Sequence, residues 1–224
     1  NSGIQAKKME GARAEYNSRV LAYVAGEILF KLTFPEYAER IEHLRDISPE
    51  NLDITEAELY RMLLKIPERL EHSELRRRWD EMSDRDRERL SSLLSTDLPE
   101  DEPLHVRDIL MYGLAEVTRS RLCAKYLRNE DVEGFGRMCY VSHDGDRVTC
   151  FDENLERSPW NFTVSDEYLS GLIRALDSPD PAVREKARLQ WQPGRYACSV
   201  PEIDMIVDIA RHTEGVDGAQ MAGA

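Results

Sequence analysis

No apolar run in this chain approaches the ~20 residues a membrane-spanning helix needs, and its opening residues Asn1-Ser2-Gly3-Ile4 do not have the form of a signal peptide. Positive charge is also short. Thirty Lys and Arg face forty-three Asp and Glu, a net charge of −13, which excludes the basic footprint that nucleic-acid phosphates require. Neither a membrane nor a nucleic acid is therefore an expected partner. Cysteine is scarce: Cys123, Cys139, Cys150 and Cys198 form no CxxC or other metal-ligand spacing. Reduced thiols in a cytoplasmic protein are the expectation. The chain has no internal repeat and no initiator Met, and it stops at Met221-Ala-Gly-Ala224, where a glycine-rich loop would begin. Both ends are expected to be cuts through a longer polypeptide.

What is present is a globular composition, 41% hydrophobic and 33% charged over 224 residues, enough to bury a sizeable core. Helical periodicity dominates. Val20, Tyr23, Val24, Ile28 and Leu32 mark an amphipathic helix from Ala14 to about Leu32, ended by Pro35. Another helical piece is expected over Tyr37–Leu44, then turn chemistry over Ser48–Asp53. Thr55 and Glu58 form a capping box for a helix through Leu59, Met62, Leu63 and Ile66. The charged stretch 72–94 reads as a solvated helical face with surface ion pairs rather than an arginine site for an anion. Thr96–Pro103 reads as an acidic linker.

Beyond it, His105–Leu127 reads as a long helix with Ile109, Leu110, Leu114, Val117, Leu122 and Leu127 on its core face. Asn129-Glu-Asp131 can cap a helix through Val132, Phe135, Met138 and Val141, followed by a polar turn, Ser142–Arg147. A short strand is expected over Val148–Phe151, a loop over Asp152–Asn161 and a helix from Ser165. Ala182–Leu189 reads as a short helix. In the last stretch Ser199 and Glu202 form a capping box around Pro201, Ile203, Ile206, Val207 and Ala210 supply a core face, and Gly215 a stop.

Three features could carry chemistry. Ser142-His143-Asp144 with Asp146 is the most polar cluster, but neighbours on a turn do not aim at one another as a nucleophilic triad must. As metal ligands they lack a recognised spacing, so helix-end hydrogen bonding is the expected role. Tyr16, after a loop with Lys7, Lys8, Gly11 and Arg13, could pack in the core or contact a sugar ring. Gly218–Ala224 could let backbone N–H groups approach a phosphate, or be a plain turn.

Ser199-Val-Pro-Glu-Ile-Asp204, Val207-Asp-Ile-Ala210 and Gly215-Val-Asp-Gly-Ala-Gln-Met-Ala-Gly223 together resemble the third motif region of galactokinase-type GHMP sugar kinases. Glu133-Gly-Phe-Gly-Arg-Met138 followed by Ser142-His143 is similar to the helix and Ser-His turn before that motif. Asn1-Ser2, then Ala14-Glu-Tyr16 and Arg19, is similar to the strand end and helix start after the family's catalytic segment. The stretch from about Ile47 to Pro103 matches less well and is expected to be helical elaboration.

The resemblance implies an α+β, predominantly helical chain: a fragment, over residues 1–224, of the GHMP kinase C-terminal domain with its ferredoxin-like core and added helices. It implies transfer of the γ-phosphoryl of ATP, with Mg, to a monosaccharide hydroxyl, commonly at the anomeric position. Tyr16 would contact the sugar, and Ala222, Gly223 and Ala224 would open a loop on the phosphate side. The family's phosphate loop, catalytic aspartate and Mg ligands precede the position of Asn1. No catalytic or metal-binding residue is therefore assigned within this chain, and it is not expected to catalyse alone. A catalytically silent sugar-sensing or interaction module on the same fold is the alternative.

Overall fold

A computed structural model describes residues 10–96, 98 and 102–221. It is α+β and predominantly helical. Helix α1 (Glu10–Thr33) runs through the middle of the core, burying Leu21, Ala22, Ala25, Ile28, Leu29 and Phe30. Of the apolar positions expected to form its inner face, Ile28 is fully buried; Tyr23, Val24 and Leu32 pack at the edge. Pro35 cannot continue the helix, and the chain passes through two 3-10 turns, Pro35–Arg40 and Leu44–Asp46. Ser48–Asp53 is more than a turn. It holds a short helix, α2 (Pro49–Leu52), capped by Ser48 and stopped by Asp53 in the left-handed region.

Helix α3 (Glu56–Leu63) starts with the expected reciprocal cap, in which Thr55 Oγ1 accepts from the Glu58 N–H and Glu58 Oε2 accepts from the Thr55 N–H. The charged stretch splits into α4 (His72–Arg77) and α5 (Asp84–Leu94). Arg78–Glu81 and Arg87–Asp84 are surface pairs, as that reading expects. Asp86 departs from it: it is buried, with Lys31 of α1 at 2.5 Å, and Arg89 grips buried Glu27. These charges join α5 to α1 instead of facing water. The linker expected over 96–103 lies partly outside the described residues; at its end Leu104 forms a β-bridge with Leu70.

Helix α6 (Val106–Arg128) packs across α1, burying Ile109, Leu110 and Leu114. Leu127, expected on that face, is exposed because the last turn of α6 runs past the core. Helix α7 (Val132–Asp146) returns beside α6 and is capped by Asp131, whose Oδ1 accepts from the Gly134 N–H. Strands β1 (Thr149–Phe151) and β2 (Arg157–Pro159) form an antiparallel ribbon, so the stretch expected to be loop contains a strand. It is the one sheet among the described residues. Helices α8 (Asp166–Leu176) and α9 (Pro181–Lys186) follow, capped by Ser165 and Asp180, with α8 packed on α3. Tyr60 of α3, fully buried, donates its hydroxyl to the Ala187 carbonyl at 2.8 Å.

After a turn at Gly194 (φ +60°), the chain ends in α10 (Pro201–Arg211) and an irregular stretch. No helix among the described residues is long and apolar enough to cross a membrane.

Candidate functional site

The corner built by α7, β1 and α10 gathers buried polar and charged groups, among them His143, Asp146, Arg147, Asp204 and Asp208. Its first layer closes the end of α7. The carbonyls of a helix's last turn have no partner within the helix; here the extended segment 196–199 supplies them. Tyr196 and Ala197 both donate N–H groups to the Gly145 carbonyl, at 2.7 and 3.1 Å, and Ser199 donates to that of Asp146 at 2.9 Å. Ala197 takes a left-handed backbone (φ +54°) to do so, a conformation that costs a non-glycine residue about 1–2 kcal/mol. Arg19 of α1 holds it there, Nη2 donating to the Ala197 carbonyl at 2.6 Å while its guanidinium lies 5.7 Å from the Tyr196 ring centre.

The second layer covers β1. One edge of that strand pairs with β2, and carboxylates of α10 take N–H groups beyond that pairing. Asp204 Oδ2 accepts from Val148 and Thr149, both at 3.0 Å, and Asp208 Oδ2 accepts from Phe151 at 2.8 Å. The other oxygens meet cations or imidazole. Arg147 makes a two-pronged contact to Asp208 at 2.7 and 3.1 Å, and His143 Nε2 lies 3.1 Å from Asp204 Oδ1. Both members of that last pair have no exposed surface. Burial pushes the Asp204 carboxyl upward, but bonds from His143, Ser199, Val148 and Thr149 outweigh it and hold the group below the usual carboxylate range. Asp146, by contrast, is raised: burial dominates, and the bonds from Cys198 (3.2 Å) and Tyr112 only partly offset it. Burial and that same carboxylate push the Cys198 thiol up, so it stays protonated.

The third layer seats residues 216–221 on one face of α7. Gly136, Tyr140 and His143 succeed one another at helical spacing. A Cβ at Gly136 would lie 2.2 Å from the Asp217 carbonyl oxygen, and one at Gly218 would lie 2.4 Å from the Gly136 Cα. Only glycine on both sides permits that approach. Tyr140 donates its hydroxyl to the Val216 carbonyl at 3.2 Å, and the Met221 N–H reaches His143 Nδ1 at 3.4 Å.

These contacts correct several expectations. Ser142–Asp146 is not a turn after the helix but its last turn, and His143 points inward to Asp204. Ser199 does not cap α10. The preceding residue of that helix is Val200, without a side-chain cap, and the Ser199 hydroxyl donates to the Val200 carbonyl at 3.4 Å. The buried stripe of α10 is Asp204, Val207 and Asp208, leaving Ile206 at 42% and Ile209 at 44% exposure. The needs of the β1 backbone turn the helix this way. Gly215 lies four residues past the end of α10, in the left-handed conformation (φ +81°).

Tyr16 is exposed on α1, one turn before Arg19. A cleft of about 260 Å³ has Glu15, Arg19, Asp108, Arg195 and Tyr196 in its wall, and Tyr16 is not among the residues that line it. Ala222, Gly223 and Ala224, and with them Asn1, Ser2, Lys7 and Lys8, lie outside the described residues. The sequence reading did not single out Arg147 and Asp208. A signal for them existed: Asp204 and Asp208 stand four apart inside the apolar run Ile203–Ala210, so both carboxylates share one helix face. Compared with known proteins, the chain matches no family model, no curated protein and no solved structure.

Proposed function

We propose that this chain is the C-terminal part of a galactokinase-like GHMP sugar kinase, which transfers the γ-phosphoryl of ATP, with Mg, to a monosaccharide hydroxyl. One observation carries the reading. The stretches that resemble that family are far apart in sequence yet meet in space: Arg19 of the first bonds Ala197 beside the third, and Gly136 and His143 of the second contact Gly218, Met221 and Asp204 of the third. The motifs of one site are expected to converge in this way. The two-stranded ribbon and its helices would then be this chain's share of the ferredoxin-like core and its added helices.

In this reading Tyr16 contacts the sugar from the helix that also carries Glu15 and Arg19 of the mixed-charge cleft, whose carboxylates and guanidinium groups suit a polyhydroxy ligand. Ala222–Ala224 open the loop on the phosphate side. The Mg ligands and phosphate loop of the family precede the position of Asn1, so this chain contributes sugar contact and loop anchorage. Its thiols, unpaired among the described residues, suit a reducing, cytoplasmic setting. The test is ADP formation by the full-length protein with MgATP and a panel of aldoses including galactose and arabinose. Turnover that depends on one sugar supports the proposal. Sugar binding without turnover would favour the silent sensor, and neither binding nor turnover would remove both.

A further inference from the structure

We infer that His143 is a positioning residue whose tautomer Asp204 dictates and whose Nδ1 anchors the closing segment. Met221 can only donate through its backbone N–H, so Nδ1, at 3.4 Å, must be the unprotonated ring nitrogen. The ring proton then sits on Nε2, facing Asp204 Oδ1 at 3.1 Å. Nε2 and Oδ1 are both buried with no hydrogen bond formed to any group among the described residues, and each is the other's ion-pair neighbour at 3.1 Å. Each depends on the other. Asp204 is itself held by two β1 N–H groups, so ring orientation is set by a strand and a helix that do not belong to the closing segment. A proton on Nδ1 would turn an acceptor into a donor aimed at another donor.

The anchor has a register. Gly136 with Gly218, Tyr140 with Val216 and His143 with Met221 place successive parts of the segment along one helix face. His143 holds Met221, the last described residue. Its bearing on nucleotide binding rests on the proposed kinase reading, whereas the anchor itself does not.

The full-length protein tests both. Ring 15N NMR should show His143 protonated on Nε2 alone; a protonated Nδ1 overturns the inference without any variant. In hydrogen exchange, His143→Gln keeps a donor toward Asp204 but loses the Nδ1 acceptor, and the Met221 amide should exchange about tenfold faster, as for one lost buried hydrogen bond. His143→Asn places an oxygen near Nδ1 and should stay within about twofold of wild type. Equal protection in both, or better protection in the glutamine variant, overturns the anchor. Asp204→Asn frees the tautomer while leaving the ring in place; it should also loosen Met221, and unchanged protection there contradicts the role given to Asp204. Weakened MgATP binding in His143→Gln, with the sugar KM unchanged, extends the anchor to the phosphate side. A loosened Met221 with unchanged MgATP affinity leaves the anchor standing and counts against the kinase reading.

Discussion

The body formed by α1, α3, α5, α6 and α8 and the corner formed by α7, β1 and α10 are built on different physics. In the body, Leu21, Leu29, Phe30, Leu63 and Leu110 are fully buried hydrocarbon, each contributing about 1.5–3 kcal/mol through loss of contact with water. The body's buried charges, Glu27 and Asp86 at the α1–α5 seam and Arg107, Asp108 and Arg119 on α6, are tied to ion partners or backbone groups around that hydrocarbon. In the corner the buried groups are His143, Asp146, Arg147, Asp204 and Asp208. Such pairs add little net stability, since desolvation consumes the Coulomb gain. They add direction, because each carboxylate oxygen answers a particular N–H. Non-directional packing suffices for a scaffold, while a fixed loop and strand end call for the other kind.

Substitutions should separate the two regions, and the largest effect belongs to the corner. Asp208→Ala strands Arg147 among buried groups and should cost about 3–5 kcal/mol in urea denaturation. Asp208→Leu with Arg147→Met should recover most of that loss. A double variant as unstable as the single one would contradict the view that the pair serves direction more than stability. Next comes the body, where Leu29→Ala should cost about 2–5 kcal/mol from lost burial and the cavity left behind. Its cost should be the same at low and high salt.

The two buried aspartates sharpen the contrast through pH. Asp146 is raised in the folded protein, so the native state binds its proton more tightly. Its contribution to stability therefore falls as pH rises from the unfolded aspartate value of about 3.9 through the raised folded value. Asp204 is depressed, so its contribution is present above about 3.9 and is lost as pH falls through its lower folded value. Denaturation midpoints of Asp146→Asn should lack the decline on the acid-to-neutral side, and those of Asp204→Asn should lack the loss at the acid end. An unaltered profile in either variant would contradict the assigned direction. The smallest effect is local. Thr55→Ala removes half of the α3 capping box and should cost about 1 kcal/mol in the same assay, leaving the corner untouched.

The body was largely legible in the sequence because its signals are local. The caps at Thr55 and Ser165 and the long helices α1 and α6 each follow from residues within a few positions of one another. The corner was not, because its bonds join residues more than fifty positions apart, as in Arg147 with Asp208 or Thr149 with Asp204. Ser199 and Glu202 have the spacing of a capping box, yet α10 starts one residue later, after Val200, and the serine N–H and hydroxyl turn to the Asp146 and Val200 carbonyls. Ile206 has the periodicity of a core stripe with Ile203, Val207 and Ala210, yet α10 turns its carboxylates inward to meet the backbone at β1. Tyr16 was legible only as an aromatic near a helix start; that it stands exposed on α1 was not.

The most direct test of the functional account is steady-state kinetics of Tyr16→Ala in the full-length protein. Because Tyr16 is 57% exposed on the described surface, its removal should leave the fold intact. The sugar KM should rise by about tenfold or more, as expected when a contact to bound substrate is lost, while the KM for ATP stays near wild type. A sugar KM equal to that of the wild type, in a variant that still turns over, would take Tyr16 out of the site and contradict the reading.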